Sequence, residues 1–126
     1  MAIEVLIVDD SAATRQVIER TARLVDATVA CHHAGNGLEA LTILQEHWID
    51  LIFADLHMPG MGGRELLRRV RENDLWSRIP VAILTSERSD QTEIELFSLG
   101  ANFYHKKPLT PESLKDVFDS LKEMMP

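Results

Sequence analysis

A doubly wound α/β fold, built on a five-stranded parallel sheet in the order 2-1-3-4-5, is predicted by three observations. Apolar runs alternate with amphipathic stretches five times along the chain. The strongest runs are rich in Val, Ile and Leu with almost no polar interruption, the pattern of strands covered on both faces. A chain of 126 residues, 45% hydrophobic and 26% charged, suits one domain (1–126) with a real core. Strand-helix alternation of this kind implies right-handed crossovers with helices on both faces of the sheet.

The first strand is Ile3-Glu4-Val5-Leu6-Ile7-Val8, ended by Asp9-Asp10-Ser11, with Ser11 a good cap for the helix that follows. In that helix Val17, Thr21, Leu24 and Val25 fall at helical spacing. Thr28 to His33 is a poorer, more polar strand and suits an edge. Asn36-Gly37 turns into a second helix with Leu38, Leu41, Ile43, Leu44 and Trp48 as its apolar stripe. Asp50 to Ala54 is a buried third strand followed by Asp55. Met58-Pro59-Gly60-Met61-Gly62-Gly63 reads as a loop, because proline and three glycines break regular structure. Leu66, Leu67 and Val70 mark the third helix.

Pro80 to Leu84 is the fourth strand, ending at Thr85-Ser86. Ser89 caps a fourth helix containing Ile94, Leu96, Phe97 and Leu99, stopped by Gly100. Asn102 to His105 is a short fifth strand, followed by Lys107-Pro108. Thr110-Pro111 opens the last helix, with Leu114, Val117, Phe118 and Leu121 inward. The weaker second and fifth strands suit the edges, which gives the flavodoxin-like order 2-1-3-4-5.

Charge and cysteine usage narrow the functions. The net charge is -7, from 20 acidic and 13 basic side chains, which argues against a surface that grips nucleic acid phosphates. Cys31 is the only cysteine, so there is no intramolecular disulfide or Cys-rich metal knuckle. The N-terminus carries Glu4 where a signal peptide carries Lys or Arg, and no apolar run approaches ~18 residues. The expectation is a reduced, cytoplasmic protein without membrane contact.

In an open parallel sheet the crevice lies beyond the carboxyl ends of the strands, where strand order reverses. Asp9, Asp10, Asp55, Thr85 and Lys107 stand at those ends. Carboxylates ~5 Å apart at an effective dielectric of about 20 repel by roughly 3 kcal/mol per pair. Three of them require positive charge or a raised pKa. Lys107 supplies one charge, and a divalent cation supplies two. All-oxygen ligation suits Mg²⁺. A hard cation beside a carboxylate, a hydroxyl and an ammonium describes a phosphoryl-transfer site, with an aspartyl phosphate as the covalent product.

At this point the sequence resembles the receiver domain of bacterial two-component response regulators, of the chemotaxis-receiver kind. The resemblance rests on Val8-Asp9-Asp10-Ser11, Asn36-Gly37-x-Glu39-Ala40-Leu41, and Asp55 followed by Met58-Pro59-Gly60-Met61-Gly62-Gly63. It continues with Leu84-Thr85-Ser86 and with Gly100-Ala101-x-x-Tyr104-x-x-Lys107-Pro108. It implies Asp55 as phosphoacceptor, and Asp9 and Asp10, with Asp55 and the main-chain carbonyl of His57, as Mg²⁺ ligands. It further implies Thr85 and Lys107 on the phosphoryl group, a cis Lys107-Pro108 peptide and Tyr104 as an aromatic switch. Movement of Thr85 toward the site is expected to exchange an exposed Tyr104 rotamer for a buried one.

Two positions depart from the family pattern: His57 stands where Asn is frequent, and Ser86 where Ala or Gly is usual. Neither removes a required group, but both leave the phosphoryl lifetime open. The implied partners are a histidine kinase or phosphotransfer protein and an output protein or domain, with a phosphorylation-dependent dimer through the fourth helix, fifth strand and fifth helix left open. The reading is of a signalling domain, not an enzyme, that catalyses its own phosphorylation and dephosphorylation. No effector segment follows the last helix before Met124-Met125-Pro126, so a stand-alone regulator and a receiver from a longer protein both remain open.

Other classes fit less well. A phosphatase of the haloacid dehalogenase type wants Asp-x-Asp, and here stands Asp55-Leu56-His57 without a cap domain. A docking-only receiver is expected to have lost part of the acid pair or Lys107. A flavin-binding protein wants a phosphate-cradling loop after the first strand, where this chain has two acids. His32-His33 cannot chelate one ion, because adjacent strand residues face opposite sides. Arg64, Arg68, Arg69 and Arg71 read as a solvated helix face.

Overall fold

The computed structural model describes residues 2–125; Met1, where the N-terminal reading begins, and Pro126 lie outside them. Five strands and five helices alternate: β1 (Glu4–Val8), α1 (Ala12–Val25), β2 (Ala30–Ala34), α2 (Gly37–Glu46), β3 (Leu51–Asp55), α3 (Gly63–Glu72), β4 (Val81–Thr85), α4 (Asp90–Ser98), β5 (Phe103–Lys106) and α5 (Pro111–Met124). All strand pairs are parallel and the order is β2-β1-β3-β4-β5, as the alternation predicted. Every residue of β3 and β4 is buried, while β2 and β5 are half-buried edges.

Successive strand residues feed opposite cores. Leu6, Val8, Ile52 and Ile83 pack with Leu44, Leu66, Leu67 and Leu96 of α2, α3 and α4. Val5, Ile7, Phe53 and Leu84 pack with Ile18 of α1 and Leu114 and Phe118 of α5. Side-chain caps hold four helices at the positions their sequences signal. Ser11, Asn36, Ser89 and Thr110 accept from the backbone N–H of Thr14, Glu39, Thr92 and Ser113. Gly100, at φ 104°, takes the left-handed step that ends α4.

Several expectations shift. The strands start later than the apolar runs: Pro80 has no N–H to give a ladder, yet its carbonyl accepts from Ile52 N–H at 3.0 Å just before β4 opens. Asp50 and Asn102 use their side-chain oxygens on Glu4 N–H and Val81 N–H instead of joining strands. The loop after Asp55 is shorter than read, since Gly62 is the N-cap and Gly63 opens α3.

On α1 the inward stripe is Ile18, Thr21 and Ala22; Val17 and Leu24 face water. Of the expected stripe, Thr21 is buried and Val25 packs against the core, while Val17 and Leu24 give way to Ile18 and Ala22 one or two residues away; helical spacing tolerates either choice, so the surface that α1 meets decides between them. On α2 the buried positions are Gly37, Ala40 and Leu44, with Leu38 exposed and Trp48 beyond the helix end. On α4 only Leu96 is buried, and Ile94 and Phe97 are exposed.

Arg71 is a further correction, because it is half-buried and not a solvated charge. Its guanidinium donates to Gly100 O at 2.8–3.0 Å, Ile79 O at 2.8 Å and Asn102 Oδ1 at 2.8 Å. It ties α3 to the end of α4 and to the start of β4. His32 and His33 do face opposite ways, each onto its own carboxylate: Glu4 at 2.8 Å and Glu19 at 2.6 Å.

Candidate functional site

Strand register builds the site. Val8 pairs with Ala54, so the next residues, Asp9 and Asp55, come level at the carboxyl edge of β1 and β3. Asp55 pairs with Leu84, which puts Thr85 one step further along, and Lys107 N–H donates to Thr85 O at 2.8 Å just past β5. The Lys107-Pro108 peptide is cis. Gly63 lets α3 begin against this edge, because a Cβ there would stand 2.6 Å from Asp55 O.

Carboxylate oxygens of Asp9, Asp10 and Asp55 lie within 4.8 Å of one another. Asp9 is 1% exposed and Asp55 7%, while Asp10 faces solvent. The Lys107 ammonium bridges the buried pair, 3.2 Å from Asp9 Oδ2 and 3.3 Å from Asp55 Oδ2. Burial, then the Asp9 charge, push the Asp55 carboxyl above the ordinary carboxylate range, against the pull of Lys107 and of the His57 backbone. Burial works against the Lys107 ammonium, but the hydrogen bond to Asp9 and the charge of Asp55 outweigh it and raise its pKa. Three carboxylates and one ammonium leave the pocket negative, with oxygen as its only anionic donor. That is the composition a hard divalent cation such as Mg²⁺ prefers.

The other two groups stand differently from expectation. Thr85 Oγ1 donates to Glu87 O at 3.0 Å and accepts from Glu87 N–H at 3.3 Å. Tyr104 is 4% exposed, and its hydroxyl accepts from Ser89 N–H at 3.2 Å. The ring therefore already sits inside, under Arg88 at 5.1 Å, so an exposed-to-buried exchange does not start from this state. His57 is exposed.

Arg15 is a residue that sequence reasoning missed. Its Nη1 donates to Asp9 O at 2.5 Å, and its Nε is buried with no partner among the described residues. It thereby grips the peptide that joins the two acids. The available signal was its place one helical turn past Ser11, on the face that looks back at the strand end.

The geometry separates the roles of the acid pair. Asp9 accepts from Ser11 N–H at 2.9 Å and from Lys107, whereas no donor reaches the Asp10 carboxylate among the described residues. Relief of carboxylate repulsion alone would make either replacement stabilising. Here Asp9→Ala is expected to cost about 2–4 kcal/mol, because it removes a buried partner of Lys107. Asp10→Ala should leave apo stability unchanged or slightly higher while weakening Mg²⁺ binding. Urea melts of the two variants, with and without Mg²⁺, check both; equal losses in the apo state would contradict the division.

A parallel five-stranded sheet with three carboxylates and a lysine at its switch point defines a class of protein, and the comparison of families agrees. The sequence model described as the response regulator receiver domain matches residues 5–119, and the chain belongs to that family. It is a receiver domain of two-component signalling. Among its relatives, the chemotaxis protein CheY of Pseudomonas aeruginosa is 34% identical over 121 residues, covering 96% of this chain and 97% of the relative. The phosphate regulon transcriptional regulatory protein PhoB of the same organism is 34% identical over 110 residues, which is 87% of this chain and 47% of the relative. The solved structure of the chemotaxis response regulator CheY4 of Vibrio cholerae superposes with a TM-score of 0.85 at 34% identity, covering 96% of this chain and 99% of that one. Among the described residues no helix is long and apolar enough to cross a membrane.

Proposed function

We propose that this receiver takes a phosphoryl group on Asp55, with Mg²⁺ held by Asp9, Asp10, Asp55 and the His57 carbonyl. The observation that supports this best is the convergence of Asp9, Asp10 and Asp55 around the Lys107 ammonium. A bound divalent cation supplies charge neutralisation for the incoming phosphoryl oxygens. Asp55 attacks phosphorus through a carboxylate oxygen; the new P–O bond replaces the P–N bond of a phosphohistidine donor. The departing imidazole nitrogen keeps the bonding electron pair and takes up a proton. Lys107 then exchanges a carboxylate contact for a phosphoryl oxygen, and the transfer proceeds without a separate enzyme. The donor is a histidine kinase or phosphotransfer protein, and an output partner reads the product.

Incubation with acetyl phosphate and Mg²⁺, followed by peptide mass mapping, tests the assignment. The expected product is one phosphoryl group per chain on Asp55, lost when Mg²⁺ is chelated. Labelling elsewhere, or independent of the cation, would overturn it.

With the Tyr104 ring already inside, the switch we propose lies in Thr85 and the segment after it. A phosphoryl oxygen that recruits the Thr85 hydroxyl takes it from Glu87 and releases the turn whose Ser89 N–H holds Tyr104. A charge-assisted hydrogen bond of roughly 1.5–3 kcal/mol is sufficient bias for a two-state turn. Thr85→Ala and Tyr104→Ala should both be labelled at Asp55 yet give several-fold weaker partner response, with unchanged Mg²⁺ affinity. Chemical shifts of Glu87 to Ser89 that do not move on beryllofluoride binding would remove the mechanism.

A further inference from the structure

At the end of the sheet opposite the carboxylates, a groove of about 560 Å³ opens between the end of α2, the loops before β3 and β4, and the end of α5. Both tryptophans of the chain line it, together with Leu75, Met124 and Met125. Trp48 is 87% exposed and Leu75 77%, and both methionines are also exposed. Isolated exposed apolar side chains need no explanation, but a group of aromatic, Leu and Met side chains around one concavity marks an interaction surface.

The electrostatics of the groove select its occupant. Its ionisable lining is Glu46, His47, Asp50 and Arg78, two carboxylates against one guanidinium. The last turns of α2 and α5 also end on it; α2 has no basic residue in its last turn, while α5 has Lys122 there, so the α2 terminus is the uncompensated one. A helix C-terminus carries partial negative charge, so Glu46, Asp50 and the α2 terminus give the apolar floor a negative rim on the α2 side. A second copy would set two such rims face to face across a twofold axis, with a net charge of -7 on each chain. Nucleic acid and anionic lipid meet the same repulsion. All lining residues lie in helix ends and connecting loops, so there is no free strand edge for an added strand.

We propose that this groove docks a basic amphipathic helix of a partner protein. Its apolar side chains at i, i+4 and i+7 fill the space between Trp48, Trp76 and Met124, and its Lys and Arg meet Glu46, Asp50 and the α2 terminus. The surface is separate from the carboxylate pocket and stands apart from the phosphorylation reading.

Because both tryptophans line the groove, tryptophan emission reports on this site. The probe is a Leu/Lys amphipathic peptide of about 14 residues, with a Leu/Glu peptide of the same apolar face as its counterpart. The Leu/Lys peptide is expected to shift the emission to shorter wavelength and to bind more weakly as salt is raised. The double variant Trp48→Ser, Leu75→Ser should bind it about tenfold more weakly by calorimetry at an unchanged Tm, since both side chains stand in water. Equal binding of the Leu/Glu peptide, full affinity in the variant, or no binding would each overturn the proposal. So would a wild-type dimer in sedimentation that the variant loses, which would make a second copy the occupant.

Discussion

Asp55→Asn is expected to abolish acyl-phosphate labelling and at the same time to raise the stability of the apo protein at neutral pH. The first effect follows from chemistry: an amide oxygen is no nucleophile at phosphorus, and in the function proposed above Asp9 and Asp10 hold the cation and do not attack. The second follows from the raised pKa of Asp55, which burial and then the charge of Asp9 impose. A carboxyl whose folded pKa lies above its unfolded one favours folding while protonated. That contribution is full below the unfolded pKa and is lost as pH rises through the folded one. At pH 7 the ionised side chain is therefore a net cost, and the neutral amide removes it. The gain is on the order of 1 kcal/mol, about 3–5 °C in Tm for a chain of this length. Thermal melts at pH 7 and pH 3.5 check the sign: the Asn variant gains at pH 7, and the difference shrinks toward zero in acid. A gain that persists unchanged in acid would mean that the effect is steric.

Lys107→Met produces the opposite result and the largest loss of stability expected at the site. The ammonium lies between two carboxylates that are almost wholly buried, at 3.2 and 3.3 Å. Its removal leaves Asp9 and Asp55 facing each other without a cation, and breaking a buried pair in this way costs about 3–5 kcal/mol. Part of the loss is relieved when Asp55 takes up a proton, so the variant should recover as pH falls from 8 to 5. The wild-type ammonium has its pKa raised by Asp9 and Asp55, so its stabilisation is full across the neutral range and fades only in alkali. The same geometry predicts that Mg²⁺ binds Lys107→Met more tightly than wild type, because the ammonium no longer competes for Asp9 and Asp55. Lys107→Arg keeps the charge and most of the stability, but a planar fork replaces a compact ammonium, so partner response should stay low. Urea melts at both pH values and a Mg²⁺ titration measure the outcome. Weaker Mg²⁺ binding in the Met variant would show that Lys107 organises the pocket and does not compete within it.

Much of this architecture was legible before any coordinates. The alternation of apolar runs with capped amphipathic stretches determined the element order, and the polar content of β2 and β5 determined which strands lie at the edges. Those signals are local: a cap bonds to the turn beside it, and a strand covered on two faces must be apolar throughout. Because β1 and β3 are neighbours in that order, Asp9 and Asp55 had to come together, and the site residues could be named from strand ends alone. Tertiary structure alone decided which of two adjacent stripes of α1 turns inward. Val17 with Leu24 and Ile18 with Ala22 both suit helical spacing, and what separates them is that the second pair packs with the sheet and with Leu114 and Phe118 of α5. Long-range packing also decided that Arg71 is a half-buried tie to Gly100 and Ile79, that Arg15 holds the Asp9 carbonyl, and that Tyr104 already sits inside on Ser89. Each of these contacts joins segments distant in sequence or depends on a side chain's rotamer, and a hydrophobic period carries no information about either.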